Sequence, residues 1–220
     1  RLWAAHLSLQ PTRPLILATF GLWNVWCREV FGDAAMKCQD PFLRGYERHF
    51  RMAVFQDSVG DDSILEPWVG VGAVQARGWG TIWGVPEESH PSGVEGGAWQ
   101  YKPAIQDWSD MEKLSWPPHR IDEEATQRNA DRLREAVGDI VPVDLLRGPV
   151  CQGFMADLST SLAKLRGLEQ IMIDMYESPD ELKKLLAFMR DGILANQQAA
   201  EDAGDFSLTT QHNQSMPYAE

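Results

Sequence analysis

Apolar positions along the chain fall into short runs and helical stripes. Residues 14–20, PLILATF, form an apolar run opened by proline and predict a buried strand. Leu43, Tyr46, Phe50 and Val54 recur at i, i+3, i+7 and i+11, which predicts a helix over 40–57. Asp40 before Pro41 supplies its N-cap, with proline at the first helical position. Residues 63–74, SILEPWVGVGAV, read as extended chain interrupted near Pro67. The Gly-, Trp- and Pro-rich stretch 77–106 reads as a long loop or small hairpin, of the kind that lines or covers a site. A short helical turn is expected over 107–114. A polar helix over 122–137 should turn Ala125, Leu133, Ala136 and Val137 inward and stop at Gly138.

Residues 140–146, IVPVDLL, predict another buried strand, and 153–176 a helix broken near Gly167. Ser178-Pro179-Asp180-Glu181 has the spacing of a capping box. Leu182, Leu185, Leu186, Met189 and Ile193 then mark one stripe of a long helix that Gly204 ends. DFSLTT at 205–210 reads as a last strand. Strands alternating with helices imply an α/β fold with parallel pairing. About four strands are visible where a closed (β/α)8 TIM barrel needs eight. The chain therefore reads as a smaller open sheet or as part of a larger barrel. No repeat, low-complexity tract or domain boundary appears, so 1–220 reads as one domain.

Composition narrows the partners. The net charge of −12 and pI near 4.8 argue against nucleic acid and anionic membrane surfaces, which need a basic footprint. No apolar run approaches the roughly 20 residues of a membrane helix, and no secretory signal is visible. Cys27, Cys38 and Cys151 are odd in number and widely spaced, without a Cys-x-x-Cys pair. They read as reduced thiols of a cytoplasmic protein. Gly-x-Gly-x-x-Gly, Walker, Gly-x-Ser-x-Gly and His-Glu-x-x-His patterns are missing, which weighs against nucleotide-fold, serine-hydrolase and zincin chemistry.

Four stretches carry a family resemblance: DDSILEPWVGVG at 61–72, KPAIQDWSDMEKLSWPP at 102–118, the run from Gly148 to Met189, and AEDAGDFSLTT at 200–210. In order and spacing they resemble the uroporphyrinogen decarboxylase superfamily, which holds true decarboxylases and corrinoid-linked methyltransferases. The resemblance implies a (β/α)8 barrel of which this chain would be the N-terminal part. It also implies that the zinc ligands of the methyltransferase branch, a His-x-Cys and a distant Cys, lie beyond residue 220. The decarboxylases carry an Arg-Gln-Ala-Gly-Arg signature after the first strand. Here GLWNVWCREV stands at 21–30, where only Arg28 can replace it as a substrate-binding group. The missing second arginine favours the methyltransferase-like branch.

The resemblance aligns Asp62, five residues before Pro67, with the family's catalytic aspartate; the bland alternative is a solvated turn beside Asp61. Glu66 reads as a pocket acid or an exposed strand residue, since a buried unpaired carboxylate is costly. Trp68, with Trp79, Trp83 and Trp99, walls an apolar substrate pocket or packs a core. Arg147, just past a strand, suits bidentate binding of a substrate carboxylate. Cys151 is a zinc-ligand candidate or a small buried hydrophobe. His212 and Asn213 follow the last strand, where histidine can ligate metal or move protons, or lie in a surface loop. Arg44, Arg48 and Arg51 share a helix face that reads as solvated.

The expected activity is methyl transfer from a small methylated substrate to a corrinoid carried by a partner protein, with zinc as a Lewis acid. One alternative is cofactor-free uroporphyrinogen decarboxylation. Another is a non-catalytic half-barrel subunit, completed by a second chain or a homo-oligomer.

Overall fold

The computed structural model describes residues 2–18, 31–65, 67–78, 80–93 and 99–205. Helices dominate. In chain order they are α1 (Leu2–Leu7), α2 (Pro41–Val59), α3 (Glu123–Val137), α4 (Leu158–Arg166), α5 (Leu168–Glu177) and α6 (Pro179–Asp202). The strands are β1 (Val69–Gly72), β2 (Glu88–Pro91), β3 (Trp99–Lys102) and β4 (Val143–Leu146).

The strands make two separate two-stranded sheets, β1 with β4 and β2 with β3. Val69 N–H donates to the Pro142 carbonyl and Ala73 N–H to the Leu146 carbonyl, both at 2.9 Å, so β1 and β4 run in the same direction. β2 and β3 form an antiparallel hairpin with Glu88 opposite Lys102 and Pro91 opposite Trp99. This is the small hairpin alternative for the 77–106 stretch.

The expected (β/α)8 barrel, even as an N-terminal part, is overturned: the described residues hold a mixed helix-and-sheet arrangement with no barrel. A barrel needs a strand between successive helices so that each ladder continues round the ring. Here α4, α5 and α6 follow one another with no strand between them, and they bury their stripes against each other instead. Residues 14–18 of the expected first strand join no sheet, and Ile16 is 64% exposed. Aspartate side chains hold them: Ile16 N–H donates to Asp62 Oδ2 at 2.8 Å and Ala18 N–H to Asp61 Oδ2 at 2.6 Å. Of the last expected strand, only Asp205 lies within the described residues.

The chain divides into two compact units. The first comprises residues 1–69, 132–144 and 208–220. Its α2 starts as the periodicity predicts, with Asp40 accepting the Leu43 N–H at 3.1 Å and Pro41 in the first turn. Gly60, at φ 70°, ends it in the left-handed conformation. The predicted arginine face is tied down in part. Arg44 donates to the Cys38 carbonyl, Arg48 pairs with Asp33, and Arg51 pairs with Glu47. Glu47 also accepts the backbone N–H groups of Lys37 and Cys38, and these bonds hold its pKa down at about 2.

The second unit comprises residues 70–131 and 145–207. Its core joins Ile82, Trp83, Ile105 and Leu114 to the stripe of α6, where Leu182, Leu185, Met189 and Ile193 are buried as predicted. The break near Gly167 separates α4 from α5. Arg166 at the end of α4 forms a buried pair with Asp174 of α5, donates to the carbonyls of Ile105 and Gln106, and stacks over Trp108 at 4.3 Å. The capping box at 178–181 does not form. Ser178 makes no side-chain cap, and Glu181 pairs with Lys184 instead. In this unit's part of α3, Thr126 and Ala130 are buried; in the first unit's part, Leu133 is buried and Ala136 exposed.

Candidate functional site

Three backbone devices in the second unit bring four charged side chains together. Gly204, at φ 74°, closes α6, and the Asp205 N–H reaches back to the Ala200 carbonyl at 2.8 Å. Asp205 is therefore fixed by a helix end. Arg147 leaves the end of β4. His119 follows the Pro117-Pro118 pair, whose Pro117 carbonyl accepts from Asn196 Nδ2 at 3.2 Å. Glu123 opens α3.

Asp205 sits at the centre. Its Oδ2 lies 2.7 Å from His119 Nε2, and its Oδ1 accepts from Arg147 Nε at 2.5 Å. Arg147 turns its two remaining nitrogens on Glu123, at 2.9 and 2.7 Å, as a bidentate fork. Exposure is graded along this chain: the side chain of His119 is 4% exposed, Asp205 10%, Arg147 30% and Glu123 66%. The hydrogen bond from Arg147, then that of His119, holds Asp205 below the usual carboxylate range against the opposing effect of burial. Arg147 lowers Glu123 in the same way, and both carboxylates raise the guanidinium.

The ionised carboxylate favours a hydrogen on His119 Nε2, pointing at Asp205. The His119 Nδ1 is buried and has no hydrogen-bond partner among the described residues. A buried polar atom left unpaired costs about 1–3 kcal/mol. An open cavity of about 370 Å³ is lined by Val74, Gln75, Ala76, Arg120 and Asp122, and none of the four clustered side chains is among its lining residues. The carboxylate thus fixes the orientation of the His119 ring.

Of the residues singled out from sequence, Arg147 is the one that joins this cluster. Asp62 belongs to the first unit and is bound there: Arg13 grips it through two 2.6 Å bonds, and its own carbonyl accepts from Trp3 Nε1 at 2.8 Å. Arg13, followed by the Ile16 N–H, lowers its pKa to about 2. Trp68 is half-buried just before β1. Trp83 lies in the core, 2% exposed, rather than along a cavity wall.

Cys151 is a fully buried member of the apolar core, with its thiol pushed up to about 12 by burial. Among the described residues no three His, Cys, Asp or Glu side chains gather to hold a metal ion. Arg28, Glu66, His212 and Asn213 lie outside the described residues.

Sequence reading missed His119, Glu123 and Asp205 as site residues. The signal available was the position of Asp205 directly after a helix-ending glycine and of His119 after two prolines. Neither reveals the partner, which is 86 positions away in the chain. Among the described residues no helix is long and apolar enough to cross a membrane. Comparison with protein-family models, with curated proteins and with solved structures finds no match to this chain.

Proposed function

We propose that this protein is an enzyme of the uroporphyrinogen decarboxylase-like kind, closest in chemistry to the methyltransferases. It would move a methyl group from a small methylated substrate to a corrinoid carried by a partner protein, in the cytoplasm. The sequence resemblance supports the reaction class. The observation that carries a catalytic reading is the His119–Asp205 pair, with Nδ1 buried and unpaired.

Removing a methyl group from oxygen or nitrogen leaves an electron pair on the departing atom. That atom becomes a good leaving group only if it gains a proton. His119, protonated on Nδ1, would donate it, and Asp205 would stabilise the imidazolium while Arg147 holds Asp205 in place. The corrinoid, when bound, supplies the methyl acceptor.

The test is formation of methylcobalamin from cob(I)alamin and a panel of methanol, methylamines, methoxybenzoates and methylated amino acids, using the purified protein. His119→Asn should slow turnover about 100-fold or more. No methylation from any donor, or full rate in the variant, sinks the reading. Release of carbon dioxide from uroporphyrinogen would assign the decarboxylase reaction instead.

A further inference from the structure

The Arg147 guanidinium presents two edges with different fates. Its Nε edge is committed to Asp205, a buried carboxylate fixed by the end of α6. Its fork edge is occupied by Glu123, whose side chain is 66% exposed. Exposed pairs contribute little stability because water screens them and the side chains must be immobilised. Glu123 is also not needed to start its helix: Asp122 Oδ1 accepts the Ala125 N–H at 2.9 Å. The fork therefore stays aimed at solvent without Glu123, because Asp205 orients it independently.

We propose that the fork of Arg147 is a binding site for a small carboxylate ligand, and that Glu123 is an internal carboxylate that occupies it until the ligand displaces it. The planar fork matches a carboxylate in two parallel bonds, the arrangement Glu123 already makes at 2.7 and 2.9 Å. A tethered competitor of this kind acts at millimolar or higher effective concentration, so it weakens the ligand and sharpens selectivity for carboxylates that bring further contacts. This inference deepens the proposed function by naming the substrate class, and rests on it for the claim that the ligand is a substrate.

The experiment is titration of the complete protein with sodium acetate against sodium chloride at matched ionic strength. It is followed by the ¹⁵N resonances of the arginine side chains and by calorimetry. Glu123→Gln keeps the size and removes the charge. It should bind acetate about tenfold more tightly than the unaltered protein, with the Arg147 resonance moving. Arg147→Lys in the same background should lose that gain, since an ammonium cannot form the fork. Equal acetate affinity with and without Glu123, or no acetate response at Arg147 in either protein, overturns the inference. The readout needs no turnover, so failed methyl transfer with intact acetate binding would remove the reaction assignment alone.

Discussion

Asn196 and Cys151 are joined through side chain and backbone: the Asn196 Oδ1 accepts the Cys151 N–H at 3.0 Å, deep in the second unit. The other end of the same amide donates to the Pro117 carbonyl, two residues before His119. One buried side chain, 1% exposed, therefore anchors both the stretch that follows Arg147 and the stretch that carries His119.

Replacing Asn196 by Leu should leave a buried N–H and a buried carbonyl unpaired. The expected loss is about 1–3 kcal/mol per orphaned group. Urea unfolding with unchanged slope would register it as a lower midpoint. A fully stable Asn196→Leu protein would show that the two stretches find other partners.

Gly192 in α6 faces an aromatic cluster. A Cβ there would meet Trp116 Cδ1 at 2.8 Å and Trp83 Cζ3 at 3.1 Å. Alanine is the better helix former, so propensity alone predicts stabilisation. Overpacking against two ring systems should win, and Gly192→Ala should destabilise by about 1–3 kcal/mol. A melting temperature above that of the unaltered protein would show that the rings move aside.

Acid should loosen the first unit within a defined range. Asp62 and Glu47 have ordinary values of 3.8 and 4.5, and both are lowered to about 2, by Arg13 and by backbone N–H groups respectively. A carboxyl that titrates lower when folded favours the folded state fully above its ordinary value. That advantage is lost as pH falls through the folded value. The N-terminal segment held by Asp62, and the 37–38 turn held by Glu47, should therefore open between about pH 4 and pH 2. Amide exchange at Ile16, Lys37 and Cys38 measures this. Exchange that is already fast at pH 6 would show that these bonds do not protect the segment.

Cys151 should resist alkylation. Its thiol is buried and its pKa is pushed up to about 12, so almost no thiolate exists at pH 8. Peptide mapping after iodoacetamide treatment should find Cys151 unmodified in the folded protein and labelled after denaturation. Native-state labelling as fast as that of a free thiol would mean that the core around it opens.

Local rules made much of the helical content legible. The Asp40-Pro41 start of α2, the break at Gly167 and the α6 stripe each depend on neighbours within a few residues, and a 3.6-residue period is written in the sequence. The capping box at Ser178 shows the limit even of local rules. Spacing allowed it, but Glu181 found Lys184 as a nearer charge.

Sheet pairing and the site were decided elsewhere. PLILATF is apolar enough for a strand, yet residues 14–18 are held by the side chains of Asp61 and Asp62, over forty positions away. A strand needs a neighbour of matching register, and the sequence of one strand does not name that neighbour. Arg147 was legible as a carboxylate binder because its chemistry is intrinsic to the guanidinium. That its partners are Asp205 and Glu123, and that Asp205 also orients His119, follows only from the chain closing on itself. Such contacts join residues far apart in sequence, and no local pattern encodes them.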